Sequence, residues 1–216
     1  MMWLMPTSTT REPVTRARIG QVALELIDAE GTQAVTMRRI AAALGVQAPS
    51  LYAHVRSRAE ILQLAHAQAM TEVGPFTPSG DWRADLRTYY RRMHDVLLAH
   101  GDVAAVQFGS VPVTEESLRG FEAAIRALAK SGLKPRLAAR ATERLSLYVT
   151  ADAYEQWEFA QRGDGPPPRE AIKQLAPGLV EFLGGEADLG PEGPFEFGLD
   201  LLIEGIGVLA LAEEDR

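Results

Sequence analysis

Apolar residues along this chain recur at spacings of three and four and almost nowhere alternate, so the pattern predicts an all-α protein. Ile19, Val22, Ala23, Leu26 and Ile27 share one helix face, and Gly31 ends that helix. Ile40, Ala41 and Leu44 make a short second stripe that stops at Gly45, where a left-handed turn suits a residue without a Cβ. Val46 and Leu51 carry the stripe into a third helix, with Pro49 tolerated in its first turn. Ser57 and Glu60 have the spacing of a capping box and open a fourth, through Ile61, Leu62, Ala65 and Ala69 to a stop near Gly74-Pro75. A Pro/Gly/Ser-rich linker over 74–81 follows. Beyond it the pattern predicts helices from Asp81 to about His100, from Thr114 to Ser131-Gly132, over 135–159, over 169–183 and over 194–212. A short apolar segment, 103–109, and loops over 162–168 and 184–193 separate them.

The segment 36–58 carries the clearest chemistry. Thr36 can cap the first helix of a compact helix pair, and no Asp or Glu occurs from there to Arg58, while Arg38, Arg39, Arg56 and Arg58 all do. An acid-free basic face fits a DNA backbone, although an ordinary αα-hairpin with a glycine turn has the same spacing. The net charge of −7 does not oppose DNA binding once it is split by region. Residues 1–74 hold seven arginines and six carboxylates, so the acidity belongs to 75–216. Cysteine is absent, which excludes disulfides and thiolate metal sites and is compatible with a cytoplasmic location. The N-terminus has no signal-peptide pattern and no apolar run reaches membrane-spanning length, so no membrane association is expected.

From Arg16 to Met70 the chain resembles the N-terminal domain of the TetR family of transcriptional regulators. The residues that carry the resemblance are ALELIDAEG, then T-x-R-x-I-A-x-x-L-G-V, then P-S-L-Y-x-H-V-R-S-R. It implies a three-helix DNA-binding domain over 1–74, including a short disordered N-terminal arm, and a helical effector-binding and dimerisation domain over 75–216. In that frame Arg38 reaches either a guanine edge or a phosphate. Ala48, Pro49 and Ser50 sit at the tip of the recognition helix. Tyr52 and His54 contact phosphates, or His54 reads a base, and Thr36 and Arg58 act as backbone clamps. Arg11, Arg16 and Arg18 add phosphate contacts or are simply solvated.

The second region is similar to the tetracycline repressor subclass: L-L-A-H-G-D near 100, F-G-S with P-x-T-E after it, and F-G-L-D-L-L-I-E-G at the end. That subclass holds a magnesium–tetracycline chelate through a His ligand and a ring of polar groups. Here the His position matches Gln107, a poor ligand for a hard cation, and ring positions match Gly74, Tyr89, Met93, Ala124 and Leu147. Ser110 keeps a hydroxyl and Glu155 a carboxylate. The departures predict no metal and no cofactor. They suggest a pocket for a largely apolar small molecule, lined by Tyr89, Met93, Gln107, Phe108, Ser110, Leu147, Glu155 and Trp157. The same side chains could instead fill a packed core. His66, His94 and His100 lack metal-ligand spacing and read as ordinary histidines.

The stripe Phe195, Leu199, Leu202, Ile206, Leu209, interleaved with Gly198, Gly205 and Gly207, matches Leu137, Ala141, Leu145 and Tyr148 in the long helix. Both stripes could face the subunit's own core or another copy. The resemblance implies a homodimer built on the helices near 135–160 and 194–212, reading a palindromic double-stranded operator and released by a small effector. Two other classes stand beside this repressor: a helical ligand-binding or scaffold protein without DNA affinity, and an all-helical enzyme. The enzyme lacks any recognisable nucleophile elbow, metalloprotease or phosphate-loop motif.

Overall fold

The structure, a computed structural model, describes residues 13–107, 115–130, 132–162 and 194–214, with Gln174 and Gly178 as single positions. Among them every regular element is helical. The elements are α1 (Arg16–Glu30), a 3₁₀ turn (Thr32–Ala34), α2 (Met37–Ala43), α3 (Ala48–Leu51), α4 (Arg58–Val73), α5 (Trp82–Ala99), a 3₁₀ segment (Gly101–Gln107), α6 (Glu115–Lys130), α7 (Pro135–Arg162) and α8 (Pro194–Glu214). The N-terminal arm, the cap at Thr114, the helix expected over 169–183 apart from Gln174 and Gly178, and the loops beside it apart from Arg162 lie outside the described residues.

Local chemistry explains the starts and stops. Thr15, Thr36 and Ser57 each accept from the backbone N–H three residues on, and Asp81 accepts from both Arg83 and Ala84. Each thereby satisfies a donor that the first helical turn leaves without a partner. Glu60 returns its carboxylate to the Arg56 N–H at 2.8 Å, one residue before the cap. Gly45 has φ 67°, the left-handed turn between α2 and α3.

One continuous apolar core runs through the molecule, from Ile19, Ile27 and Ile40 in the head to Leu86, Leu145 and Ile203 in the body. In the head α1 lies along α4, while α2 and α3 pack on each other. In the body α7 is the central helix, touched by α5, α6, α8 and the 3₁₀ segment. Helix α4 belongs to both halves, because it also packs on α5, α6 and the 3₁₀ segment. A displacement of α4 therefore reaches the head directly.

The orientation of α8 is set by charge as well as by packing. Arg83, Arg87 and Arg91 lie four residues apart along α5 and pair in reverse order with Glu204, Asp200 and Glu196 of α8. The Arg91–Glu196 contact is bidentate, with Nε donating at 2.8 and 2.9 Å. The reversed order makes the two helices antiparallel, and partial exposure keeps each pair individually weak. Three pairs in register nevertheless define which face of α8 turns outward.

That face overlaps the stripes the sequence suggested for dimerisation only at Leu209, with Leu202 half-buried beside it. Leu137, Ala141 and Leu145 are buried in the subunit's own core, as are Phe195, Leu199 and Ile206. The large apolar residues of α8 left exposed are Phe197, Leu201, Val208, Leu209 and Leu211. The glycines divide accordingly. A Cβ on Gly198 would meet the Tyr148 hydroxyl, one on Gly207 would meet the Arg83 guanidinium, and Gly205 has open space in front of it. Two of the three glycines thus admit this chain's own side chains, and only Gly205 leaves room for another molecule.

Candidate nucleic-acid interface

The short helices α2 and α3 carry no acidic residue of their own. Thr36, Arg38, Pro49, Ser50 and Tyr52 are exposed there, with Ala48 and His54 half-buried beside them. Tyr52 is 59% exposed and offers both its hydroxyl and its ring face to a partner. The arginines of the head separate into roles. Arg38 makes no ion pair among the described residues and leaves its fork open to solvent. Arg39 instead binds Glu30 through both terminal nitrogens, 2.8 Å for the longer-held Nη1, and this contact raises its pKa and lowers that of Glu30. Arg16 donates to the His54 carbonyl at 2.7 Å and to Glu60 at 2.6 Å, so it fastens α1 to the start of α4.

Arg58 departs from the sequence expectation of a phosphate clamp. Its Nε donates to the Val35 carbonyl at 2.8 Å and its Nη2 to the Thr32 carbonyl at 2.6 Å. Those carbonyls belong to the turn that leads into the Thr36 cap. The Thr32 carbonyl also accepts from the Val35 N–H at 3.1 Å, so the guanidinium adds a charged donor to a turn already closed by its own backbone. Arg58 thus holds the helix pair in place from behind.

Among the described residues, those expected to line an effector pocket do not all face one side of the body. Met93 is buried, while Tyr89 is half-buried and packs on Phe76 and Tyr90 at ring separations of 5.5 and 5.3 Å. Leu147 and Glu155 are exposed on the outer side of α7. Helix phase explains this: each stands about 200° around the axis from the buried Leu145 or Ala153 two residues before it. Trp157 is half-buried, with its indole nitrogen beside Gly101 at the head–body junction. Phe108 and Ser110 lie outside the described residues. A concavity of about 480 Å³ opens on α7 between Tyr148, Asp152, Tyr154 and Glu155, so of the expected pocket residues Glu155 borders this one. A second, of about 520 Å³, lies on the head between Arg16 and the turn from Tyr52 to Ser57.

Gln107 has specific partners that the sequence did not reveal. Its Oε1 accepts from the Thr150 hydroxyl at 2.6 Å, and its Nε2 donates to His66 Nε2 at 2.9 Å. This chain of side chains ties α4 to α7 through the end of the 3₁₀ segment. It requires His66 to be neutral, since a protonated ring has no acceptor nitrogen. Burial supports that state and pushes the His66 pKa down to about 4. An unfolded chain binds this proton near pH 6.5 and the folded one does not, so stability is lost as pH falls from about 6.5 towards 4. The loss reaches on the order of 3 kcal/mol. Thermal melting of the wild type and His66→Gln through this window checks it, the variant losing less stability on acidification.

His94 is also buried, stacked on Phe195 at 3.8 Å, with Nε2 2.8 Å from Asp152. Among the described residues no group of three or more His, Asp or Glu side chains could hold a metal ion. Nor is any described helix long and apolar enough to cross a membrane.

Comparison with known proteins agrees with this arrangement. Residues 19–65 match the family model for bacterial regulatory proteins of the tetR family, and residues 74–209 match that for the tetracyclin repressor-like C-terminal domain. The chain is 30% identical to the class G tetracycline repressor protein of Vibrio anguillarum, over 88% of this chain and 91% of that one. It is similar in structure to the TetR family protein ActR of Streptomyces coelicolor in complex with (S)-DNPA. The TM-score is 0.76 at 35% identity, covering 92% of this chain and all of the other. The same protein in complex with actinorhodin gives a TM-score of 0.74 at 33% identity, covering 92% and 99%.

Proposed function

Because the chain belongs to the TetR family of ligand-responsive transcriptional repressors, we propose that it binds a palindromic operator as a homodimer and lets go when a small, largely apolar effector enters its C-terminal part. The observation that carries the DNA reading is the acid-free helix pair, capped by Thr36, with Arg38 open to solvent and Tyr52 59% exposed. Arg38 would read a base or a phosphate, Tyr52 and His54 would hold the backbone, and Ala48, Pro49 and Ser50 would allow close approach to base edges. The head extends to Gly74 and the effector-binding body follows it. The protein acts in the cytoplasm and performs no catalysis.

The effector reading draws on the relatives, some named for tetracycline and one solved with (S)-DNPA and with actinorhodin. Gln107 stands where the tetracycline repressors resembled here have a metal-ligating His. Its amide is engaged by His66 and Thr150, so an effector at this position would meet uncharged hydrogen-bonding groups rather than a cation.

Selection of bound sequences from random duplex DNA tests the repressor reading. A palindrome of roughly 15 base pairs or more, bound with an affinity that falls steeply with salt, is the expected result. Failure of the folded protein to enrich any sequence, with or without cell extract as a source of co-repressor, would favour a ligand-binding or scaffold protein.

A further inference from the structure

Three segments distant in sequence meet where the head joins the body. Asp28 lies in the last turn of α1, Glu72 in the last turn of α4, and His100 caps the C-terminus of α5. His100 Nδ1 stands 3.0 and 3.1 Å from the two Asp28 oxygens, and its Nε2 stands 3.1 Å from Glu72 Oε2. Both ring nitrogens therefore face carboxylates. A neutral imidazole would turn a lone pair on one of them. The Nε2 atom is buried and sits off the line a hydrogen bond requires, so its contact with Glu72 is electrostatic.

A second observation leads to the same place. Helices α1, α4 and α5 all lack a basic residue in their last turns, and α1 and α4 end there with carboxylates, against the negative end of the helix dipole. A cation at residue 100 offsets all of these charges together. The charged groups facing the ring are Asp28 from α1 and Glu72 from α4. Asp102, on its own segment, is occupied by the Thr32 N–H at 2.8 Å and the Thr32 hydroxyl at 2.7 Å, and α7 contributes the uncharged Trp157 at Gly101.

We propose that protonated His100 is a positioning residue that latches the DNA-binding head to the body, so that the head is held firmly at low pH and released as the ring loses its proton. Desolvation works against the charged ring, but the pairs with Asp28 and Glu72 outweigh it and raise its pKa above the usual 6.5. The latch is complete below about pH 6.5 and opens as pH rises through the raised folded value. His66, whose pKa is depressed, titrates on the other side of that window and does not mask it. A head fixed on the body presents α2 and α3 at one spacing, so operator binding is tightest with the latch closed.

The operator arm of the test rests on the repressor reading, whereas the stability arm does not. In the full-length protein, ring-proton NMR titration should place the His100 midpoint above 6.5, and Glu72→Gln, at an exposed position, should lower it. Wild-type melting temperature should fall as pH rises from about 6.5 to 8.5, with His100→Gln flatter over the same range. On the selected operator duplex the wild type should weaken about three- to tenfold more than His100→Gln between about pH 6 and 8.5. His100→Lys, charged throughout, should keep the low-pH affinity. A His100 midpoint at or below 6.5, or the same melting profile in wild type and His100→Gln, would overturn the latch even if no operator were found. So would a His100→Lys protein that binds operator like His100→Gln.

Discussion

Changing Leu201 and Val208 together to glutamate leaves the protein monomeric and weakens operator binding by about a hundredfold or more. Both side chains are exposed, 64% and 67%, on the outward face of α8, in line with Phe197 and with the open space at Gly205. A row of large apolar residues on one helix face is unusual for a surface that stays in water. The arginines of α5 hold α8 so that this face cannot rotate into the subunit's own core. A second copy related by a two-fold axis is the partner that fits, since it brings the same row to meet itself. Glutamates there would be buried without partners in the dimer and solvated in the monomer. Far-UV circular dichroism should change little, while sedimentation should show half the mass. A dimer that survives both substitutions would move the interface elsewhere, the outer face of α7 around Leu147 being the next exposed apolar position. The large loss in affinity arises because two linked heads bind a palindrome with an effective concentration that a single head lacks.

The outward face of α8 also shows what a sequence can and cannot reveal. The caps at Thr36, Ser57 and Asp81 and the turn at Gly45 were legible because each depends on a few neighbouring residues. Periodicity grouped Leu137, Ala141 and Leu145 correctly on one face of α7. It could not say that the subunit's own helices cover that face. Helix phase sets Leu147 and Glu155 opposite the stripe through Leu145, Val149 and Ala153, so the resemblance rather than the periodicity suggests a ligand there, and of the two Glu155 borders the concavity on α7. Gln107 was singled out as a substituted metal ligand, but its partners His66 and Thr150 lie 41 and 43 residues away. Asp28 and His100 are 72 residues apart, and nothing local to either announces their meeting. Contacts of that kind depend on how helices cross, which one-dimensional spacing does not encode. Phe108 and Ser110 remain sequence expectations, since they fall outside the described residues.

Arg58 and Tyr52 separate a residue that builds the DNA-binding face from one that uses it. Arg58→Ala should cost about 2–3 kcal/mol of stability, because it strips the Thr32 and Val35 carbonyls of a charged donor in a half-buried setting. Operator binding should fall with it, as the turn into the Thr36 cap loosens and α2 loses its fixed direction. Arg58→Lys should recover little, since a single ammonium cannot reproduce the forked geometry that reaches both oxygens. Tyr52→Ala should leave stability within about 0.5 kcal/mol, as expected for a side chain 59% exposed. Operator affinity should still drop about tenfold, the loss of one hydrogen bond to a charged phosphate oxygen together with its ring contacts. Urea denaturation and operator titration on the same preparations distinguish the two. If Arg58→Ala kept full stability and lost only DNA affinity, its guanidinium would have to swing out to a phosphate in the complex, and the inward contacts would belong to the free protein alone. If Tyr52→Ala left operator binding intact, the helix pair would meet DNA by a different edge. Arg38, whose fork makes no ion pair among the described residues, would then be the next side chain by which to find it.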